Sequence, residues 1–177
     1  MMTDSLQIRQ LDERSLPEIM ALQETALASI EKTEMLRRNS AEMLGGCLME
    51  PHYTIGAYDG ELLAALAILY DAADIPDEDL GHLLSRDELR SRRCANFKLC
   101  IVHPDYCGYG LQQRLGVMIA DEARRRGIAL LCATVHPDNA ASSRSLTRIG
   151  YVKDGLREKY GSVRELYFCD LLAQIQE

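Results

Sequence analysis

Two glycines separated by one residue, Gly108 and Gly110, mark the part of the chain best suited to chemistry. They follow an apolar run, Cys100–Val102, that ends before a proline, and they precede a helical pattern that begins at Leu111. A helix that starts directly after such a turn presents unpaired backbone N–H groups and the positive end of its dipole, which suit a phosphate. Glycines also let the backbone approach a ligand without an intervening Cβ. The segment is therefore either a tight turn or the cradle for a coenzyme pyrophosphate.

Two other phosphate-binding motifs are excluded by the same stretch. A dinucleotide fingerprint needs a third glycine where this chain has Gln113. A P-loop ends in Gly-Lys-Ser or Gly-Lys-Thr, and no such tripeptide occurs in the sequence. What remains is a shorter turn, whose helix begins almost immediately after Gly110.

The cysteines are the other reactive side chains that the sequence offers. There are six of them: Cys47, Cys94, Cys100, Cys107, Cys132 and Cys169. No Cys-x-x-Cys pair is present, so neither a zinc site nor a redox motif is predicted. Cys100, Cys132 and Cys169 lie in apolar runs and are interpreted as small core residues. Cys107 lies in the glycine loop, where nearby N–H groups are expected to lower its pKa and make the thiol reactive.

The helix after the turn is predicted from five apolar residues at helical spacing. They are Leu111, Leu115, Met118, Ile119 and Ala123. Three arginines, 124–126, crowd its last turn, where cations suit the helix dipole, and Gly127 follows as a helix end. At 1.5 Å per residue these arginines lie roughly 22 Å from the glycines. They are therefore interpreted as a solvated helix end and not as a phosphate clamp.

The second half continues with an alternation of strands and helices. The predicted elements are a buried strand from Ile128 to Val135, a helix from Asp138 or Asn139 to Arg148 that closes at Gly150, and strands at Tyr151–Val152 and Leu166–Leu172 joined by a loop centred on Gly161. The first half is predicted to hold an edge strand at Leu6–Leu11, a helix from a capping box at Ser15 to about Ile30, a helix at Ser40–Met49, and a hairpin of Tyr53–Tyr58 and Leu62–Tyr70 around Asp59-Gly60.

This order of elements, with the motifs Val-His-Pro-Asp-Tyr, Gly-x-Gly, Asn-x-x-Ser and Gly-Tyr, resembles the GNAT superfamily of acetyl-CoA-dependent N-acetyltransferases. The resemblance is specific from about Asn96 to Leu172. It implies an α/β fold of α+β layers, in which about four helices flank a mixed central β-sheet of about six to seven strands. It also implies that residues 1–177 form one domain. Residues 1–95 are the acceptor-side half, with a variable segment at 71–93, and residues 96–172 are the acetyl-CoA-binding core.

The resemblance also implies which residues bind acetyl-CoA, the expected co-substrate. The family signature reads Arg/Gln-x-x-Gly-x-Gly/Ala, and this chain departs from it at both ends, with Cys107 and Gln112. The larger Gln112 side chain could narrow the approach of the pyrophosphate. Asn139 matches an asparagine that contacts the pantetheine region, and its alternative role, like that of nearby Ser142, is helix capping. The implied binding residues are Cys100, Ile101, Val102, Cys107, Gly108, Tyr109, Gly110, Leu111, Gln112, Asn139 and Ser142.

One departure concerns catalysis directly. Many family members have a tyrosine on the second helix that protonates the leaving thiolate, and the matching position here is Leu146. Replacement donors are Ser145, Tyr151 and Tyr160, although Tyr151 sits where an aromatic core residue is expected. Candidate general bases are His82, Asp87 and Glu88. None of them has a compelling pattern, so the sequence identifies no catalytic residue.

The charged segment 71–93 has two interpretations. Five acids come first, Asp71, Asp74, Asp77, Glu78 and Asp79, and four arginines follow, Arg86, Arg90, Arg92 and Arg93. One interpretation is a solvated loop and short helix whose charges face water. The other is an acidic lip beside the groove that attracts a cationic amine.

Composition limits the classes of function. A net charge of -7 argues against sequence-independent nucleic-acid binding, which relies on a basic face. No apolar run reaches the length of a membrane span, and the N-terminus lacks a secretory h-region, so neither a membrane span nor secretion is expected. Cysteines without a disulfide framework predict a reducing cytoplasm.

The function implied is N-acetylation of a primary amine of a small molecule or peptide, by direct attack within a ternary complex and without a metal. The alternative is a non-catalytic module of the same fold that senses acetyl-CoA or regulates a partner. A flavodoxin-like nucleotide binder is disfavoured, because the chain ends in an antiparallel strand pair. The acceptor amine and the oligomeric state remain open, although homodimers are common among relatives.

Overall fold

The computed structural model describes residues 6–32 and 35–173. Its strands are β1 (Gln7–Gln10), β2 (Tyr53–Asp59), β3 (Leu62–Tyr70), β4 (Cys94–Val102), β5 (Leu130–Val135), β6 (Val152–Lys159) and β7 (Ser162–Asp170). They form a seven-stranded sheet in the order β1-β2-β3-β4-β5-β7-β6. Only β4 and β5 pair in parallel, and the other neighbours are antiparallel. The mixed sheet predicted from the sequence is thereby confirmed.

Helices cover both faces of this sheet. They are α1 (Leu16–Ala28), α2 (Ala41–Gly46), α3 (Asp87–Arg90), α4 (Leu111–Arg125) and α5 (Ala140–Ile149). Short 3₁₀ turns lie at Glu13–Ser15, Leu80–Leu83 and Pro104–Tyr106. The described residues thus hold one α-helix more than the four expected, and the addition is the single-turn α3 within the charged segment 71–93.

The strand β3 shows why both faces are buried. Ala67 and Leu69 belong to the core on the α4 side, together with Leu115 of α4. Leu66 and Ile68, which alternate with them, belong to the core on the α1 side. A strand that is apolar at every position can be covered on both faces only in this way.

The first two helices differ from the sequence prediction at their ends. The capping box at Ser15 is wrong, because the Ser15 side chain makes no capping hydrogen bond. Asp12 acts instead, and its carboxylate accepts a 3.0 Å hydrogen bond from the Arg14 backbone N–H. Ser40 caps the N-terminus of α2, where its Oγ accepts a hydrogen bond from the Met43 backbone N–H at 3.1 Å. Both helices end sooner than predicted, α1 at Ala28 and α2 at Gly46.

The two hairpins were predicted unequally well. The β2–β3 hairpin is confirmed, with Gly60 at a φ of 59° in its turn. The last hairpin is longer than predicted, because β6 and β7 pair from Val152 up to a two-residue turn at Tyr160 and Gly161. Both turn residues have positive φ, 57° and 76°, which is the geometry of a type I′ turn. Most of β6 was not predicted from the sequence, because charged residues dominate this strand. In the structure β6 lies at the edge of the sheet and is half exposed.

The sheet opens between its two parallel strands. β4 and β5 pair over three residues only, and the last pair joins Asn96 to Cys132. Beyond that point β4 stays with β3 up to Val102, while β5 stays with β7 up to Val135. The two strands therefore diverge and leave a V-shaped opening in the middle of the sheet.

Candidate active site

A groove with a volume of about 670 Å³ occupies the opening between β4 and β5. Its walls come from β4, β5, the N-terminal turns of α4 and α5, the connection between α1 and α2, and the β6–β7 hairpin. The volume lies within the usual range for a ligand site of 300–1,000 Å³. The groove joins the glycine turn to the acceptor-side half of the chain.

The glycine turn forms one end of the groove. Gly108 and Gly110 have φ values of 85° and 76°, a region that favours glycine. The first helical hydrogen bond of α4 runs from the Arg114 N–H to the Gly110 carbonyl, at 3.0 Å. The N–H groups of Leu111 and Gln112, and that of the next residue, thus precede the helical ladder and have no acceptor within it.

The space over this turn is open. A Cβ added to Gly108 or Gly110 would meet no atom within 4 Å. Crowding within the protein therefore does not explain the glycines, whereas their positive φ does. Free helical donors beside open space fit the phosphates of acetyl-CoA.

The residues that the sequence assigned to acetyl-CoA lie together. Ten of the eleven line the groove: Cys100, Ile101, Val102, Cys107, Gly108, Gly110, Leu111, Gln112, Asn139 and Ser142. The exception is Tyr109, which is 52% exposed and does not line it. The structure thus brings the set to one place, and its role in coenzyme binding stays a prediction.

Gln112, Asn139 and Ser142 form a polar link between α4 and α5. The Gln112 side-chain amide donates to Ser142 Oγ at 3.0 Å. Asn139 Oδ1 accepts from the Ser142 backbone N–H at 3.1 Å and so caps α5. The Gln112 side chain is therefore held against α5, and the capping role anticipated for Asn139 is present.

The cysteines of the groove are not activated. The expectation of a lowered pKa for Cys107 is wrong, because partial burial raises it, and the thiol contacts the His103 carbonyl at 3.7 Å. Burial raises the pKa of Cys100 to about 12. Both thiols are therefore protonated at neutral pH, and a thiol is a poor nucleophile. Cys100 is also a partly exposed wall residue, whereas Cys132 and Cys169 are buried as predicted.

Leucine occupies the helix position at which the resemblance implies a tyrosine in many GNAT proteins. Leu146 is 1% exposed and lines the groove from α5. Tyr151 packs beside Phe97 with ring centroids 6.3 Å apart, which confirms its interpretation as a core residue. Its hydroxyl has no partner among the described residues, and burial raises its pKa. Of the proposed replacement donors, Ser145 and Tyr160 do line the groove.

Charged residues at the far end of the groove were missed by the sequence analysis. Lys98 is an extra residue in β4, since Phe97 pairs with Leu69 and Leu99 pairs with Ile68. Its ammonium group lies 2.7 Å from the Glu78 carboxylate. Such a bulge breaks the alternation of a strand and carries no reliable sequence signal.

Two arginines complete this end of the groove. Arg37 comes from the connection between α1 and α2, and its guanidinium lies 4.7 Å from the centre of the Tyr160 ring. Arg164 comes from β7, in a stretch that the sequence interpreted as loop. Neither could be assigned to the groove without the long-range pairing of the strands.

The acidic lip suggested by segment 71–93 does not form. Asp71 is buried against Arg93, with 3.0 Å between carboxylate and guanidinium. Asp79 accepts a hydrogen bond from the Gly81 backbone N–H at 2.7 Å. Of the five acids only Glu78 lines the groove, and the candidate bases His82, Asp87 and Glu88 do not.

The groove carries a local positive charge. Its described lining includes five cationic side chains, those of Arg37, Lys98, Arg144, Arg148 and Arg164. Glu78 is the one carboxylate among these lining residues. The whole chain has a net charge of -7, so the groove differs in sign from the molecule around it.

Metal ligands and membrane spans were also sought. Within residues 6–32 and 35–173, no three His, Cys, Asp or Glu side chains are grouped so that they could hold a metal ion. No helix in the described part of the chain combines the length and the apolar character needed to cross a membrane.

Comparison with solved structures identifies the fold. The ribosomal-protein-S18-alanine N-acetyltransferase from Escherichia coli superposes with a TM-score of 0.70 at 20% identity, over 94% of each chain. An N-acetyltransferase from Staphylococcus aureus gives 0.70 at 16% identity, over 94% of this chain and 98% of the other. The PaiA N-acetyltransferase from Thermoplasma acidophilum, in complex with coenzyme A, gives 0.67 at 16%, over 94% and 99%.

Comparison of the amino-acid sequence finds no family model and no curated protein that matches the chain. The chain nevertheless has the GNAT fold, with its mixed sheet and splayed central strands.

Proposed function

We propose that the protein is an acetyl-CoA-dependent N-acetyltransferase of the GNAT superfamily, which acetylates a primary amine of a small molecule or peptide. The observation that carries the proposal is the glycine turn. It sets helical N–H donors and an uncrowded backbone at one end of a groove between splayed strands. Solved N-acetyltransferases of the same fold, one of them in complex with coenzyme A, support it.

The coenzyme is proposed to lie along β4. Beyond Asn96 this strand has no β5 partner, so an extended chain can pair with its free edge as an added strand. Backbone groups of Cys100 and Val102 are the proposed partners of the pantetheine arm. The pyrophosphate then reaches the N–H groups of Leu111 and Gln112 at the positive end of α4.

The proposed chemistry is a direct acyl transfer between two bound substrates. The coenzyme supplies an activated acetyl carbonyl as a thioester. A neutral acceptor amine forms the new C–N bond while the C–S bond breaks, the amine loses one proton, and coenzyme A leaves as the thiol. No protein nucleophile is required, which agrees with the raised pKa values of Cys100 and Cys107. Alignment of both reactants in one groove lowers the entropic barrier.

The protein contributes less to proton transfer than a tyrosine-bearing relative would. General acid catalysis typically accelerates a reaction by about 10²–10⁴-fold. A leucine at position 146 cannot supply it, but a thiol leaves readily as a thiolate. We therefore propose a slower enzyme in which residues 1–95 select the acceptor and residues 96–172 hold the coenzyme.

The test combines binding and turnover in one sample. Binding of acetyl-CoA to the protein is measured by calorimetric titration. Release of free thiol is then followed with a panel of amines that includes cationic, neutral and anionic small molecules and peptides. Binding followed by amine-dependent thiol release is the expected result. If the protein does not bind acetyl-CoA, the proposal is wrong.

A second function is favoured by one observation, the buried Leu146 in place of a proton donor. It is an acetyl-CoA sensor or regulatory module without turnover. The same experiment separates the two functions, because the sensor binds acetyl-CoA but releases no thiol with any amine.

A further inference from the structure

An apolar wall lies at the end of the groove opposite the glycine turn. It consists of five side chains: Ile30, Met35 and Leu36 from the connection between α1 and α2, Met43 from α2, and Leu99 from β4. Each of them is partly buried and lines the groove. Leu36, Met43 and Leu99 also pack against the core on the α1 side, which holds the apolar wall in place.

The order of residues along β4 assigns this end of the groove to the acceptor. Under the proposed function, the pyrophosphate lies at the glycine turn and the pantetheine arm pairs with Val102 and Cys100. Leu99 is the next residue of β4 away from the turn. The coenzyme therefore occupies the groove from the glycine turn as far as Cys100, and the acceptor amine must approach from the side of the apolar wall.

The carboxylate at this end is already paired within the protein. Glu78 is the one carboxylate among the described lining residues, and the Lys98 ammonium group lies 2.7 Å from it. The Lys98 side chain is only 13% exposed, and its ammonium group also lies 4.0 Å from the centre of the Tyr70 ring. The ion pair is complete without a ligand, so a cationic substrate would have to displace Lys98 to reach the carboxylate.

The Tyr160 ring lines the same end, and it also already carries cations of the chain. The Arg37 guanidinium lies 4.7 Å from the ring centre, and the Lys159 ammonium group lies 5.4 Å from it. The ring is thus engaged in the contacts by which an aromatic side chain would recognise an ammonium ligand. A polyamine would bring further positive charges towards Arg37 and Lys98, and like charges disfavour such a partner.

We infer that the acceptor carries its primary amine on an apolar body, and that the apolar wall binds that body. Each methylene buried against the wall is expected to raise kcat/KM about fourfold, because burial of apolar surface is favourable. The flexible side chains of Met35 and Met43 can adapt to apolar bodies of different shape. The inference rests on the proposed function and names its substrate class.

The apolar wall also favours the reactive form of the amine. Transfer of an ammonium group from water to an apolar place is costly, whereas a neutral amine is accepted more readily. The amine gives its proton to solvent before it enters, and the nitrogen then attacks the thioester as in the proposed acyl transfer.

The first measurement compares acceptors by amine-dependent thiol release from acetyl-CoA. Unbranched alkylamines from ethylamine to hexylamine differ only in carbons remote from the nitrogen, so a rise in kcat/KM with chain length cannot arise from amine basicity. Hexylamine and hexamethylenediamine share one chain and differ by a terminal ammonium group. The monoamine is expected to exceed the diamine about tenfold or more, because the second charge would have to enter an apolar place.

Two sources of acceptor share this chemistry, and a second arm distinguishes them. One is a small alkylamine or arylalkylamine, represented by hexylamine and phenethylamine. The other is a peptide that begins with an apolar residue, represented by tripeptides that begin with leucine, each compared with the tripeptide that begins with glycine. The α-amino group of a peptide is less basic than an alkylamine, so each comparison is made within its own arm.

Substitutions of Met35 assign the preference to the apolar wall. Met35 lines the groove and is not among the described side chains that pack against a core cluster, so its replacement should leave the fold intact. In Met35→Gln, the rise of kcat/KM with chain length should flatten, while calorimetric affinity for acetyl-CoA stays close to that of the parent. In Met35→Glu, the new carboxylate should reverse the preference and favour hexamethylenediamine over hexylamine. The matched control is Met49→Gln, which replaces a half-exposed methionine outside the groove lining and should keep the parent preference.

The outcomes separate this inference from the function on which it rests. A rise with chain length that flattens in Met35→Gln supports it, and the better arm names the source. Equal rates along the alkylamine series, a diamine acetylated as fast as hexylamine, or an unchanged preference in Met35→Glu would overturn it while the acetyltransferase stands. Thiol release with none of the amines, spermidine included, would overturn the acetyltransferase and this inference together.

Discussion

At the scale of single residues, a glycine can be required for two reasons, a positive φ or the close approach of a ligand to the backbone. Gly110 needs a positive φ, and it also leaves open space where a Cβ would point. Gly60 in the β2–β3 turn has the same two properties, with a φ of 59° and no atom within 4 Å of an added Cβ. Only Gly110 faces the groove. The two positions therefore allow backbone strain to be measured apart from ligand exclusion.

We expect Gly110→Asp to abolish or severely weaken acetyl-CoA binding while the protein still folds. The new carboxylate faces the phosphates, and the like charges should lower affinity by about 100-fold or more. Strain from the positive φ should cost about 1–2 kcal/mol of unfolding free energy. Calorimetric titration and denaturant unfolding of the same preparation measure both quantities.

Gly60→Asp is the matched control for this substitution. It should lose a similar amount of unfolding free energy and keep the acetyl-CoA affinity of the parent. If Gly110→Asp binds acetyl-CoA as tightly as Gly60→Asp does, the pyrophosphate lies elsewhere and the placement of the cradle is wrong.

At the residue scale, local backbone geometry could be predicted from the sequence, whereas the surroundings of single side chains could not. The positive φ of Gly108 and Gly110 follows from the turn that precedes a helix, so it could be anticipated from the sequence. The thiol of Cys107 could not, because its pKa depends on burial by neighbours that the sequence does not bring together. Lys98 reaches the groove through a bulge, which only the register of β3 and β4 reveals.

At the scale of elements, the distance between α4 and α5 sets the width of the polar link at Gln112 and Ser142. Gly116 of α4 faces Ile149 of α5, and a Cβ at that glycine would lie 2.5 Å from Ile149 Cδ1. A contact shorter than 3.0 Å would force the Ile149 side chain or the helices to shift. The glycine thus lets two helices approach, at a position where helical propensity alone favours alanine.

A double-mutant cycle tests this contact. Gly116→Ala gains up to about 1 kcal/mol of helix propensity but strains against Ile149 in the parent. Ile149→Val removes the clashing Cδ1, so the same alanine should then stabilise the protein. The double variant is therefore expected to be more stable than additivity predicts, by about 1 kcal/mol, in denaturant unfolding. Additivity within about 0.3–0.5 kcal/mol would show that the helices are not in the described contact.

The C-terminal end of α4 depends on an ionised carboxylate. Glu122 accepts hydrogen bonds from Arg125 and Arg126, and Arg126 also donates to the Pro51 carbonyl at 2.7 Å. Burial alone would raise the pKa of Glu122, but the hydrogen bonds from the arginines outweigh it and lower that pKa. The stabilisation is therefore complete above the ordinary glutamate pKa and is lost as pH falls through the lowered value.

Glu122→Gln should destabilise the protein by about 1.5–3 kcal/mol at pH 7, the usual range for a hydrogen bond to a charged group. The difference from the parent should shrink as pH falls below about 4.5, because the parent then loses its carboxylate. Unfolding curves from pH 7 to about 3 measure this. Asp121→Asn, in an exposed pair with Arg124, should change stability by less than about 0.5 kcal/mol at every pH. A difference that grows on acidification would contradict the assignment.

Elements with a strong periodic pattern were predicted well, and those without one were not. The helix α4 and the strand β3 follow the expected helical and buried-strand patterns almost to their ends. Most of the strand β6 was not predicted from the sequence, because Lys153, Arg157 and Glu158 give it the composition of a loop. Its pairing with β7 is decided by the tertiary structure, and that pairing carries Tyr160 and Arg164 to the groove.

At the scale of the whole molecule, the distribution of charge matters more than its sum. The chain carries -7 and would on average repel the anionic acetyl-CoA. The groove opposes this with arginines on α5, Arg144 and Arg148, beside those of the acceptor end. Local fields in a cleft can outweigh the net charge, so the coenzyme is attracted only where it must bind.

The affinity for acetyl-CoA should therefore fall as salt rises, although the protein and the coenzyme are both anionic. Repulsion between net charges would be relieved by salt, whereas attraction to groove arginines is screened by it. We expect a loss of about fivefold to tenfold between roughly 50 and 500 mM NaCl, measured by calorimetry.

The arginines of α5 should account for part of that salt dependence. In Arg144→Gln combined with Arg148→Gln, affinity at low salt should fall and its slope against salt should flatten, because fewer attractions remain to be screened. Arg14→Gln removes an equal side chain that pairs with Asp12, and it should keep the parent slope. An affinity that rises with salt in the parent would mean that the net charge governs binding. The groove arginines would then have to face away from the phosphates, and the orientation proposed for the coenzyme would be wrong.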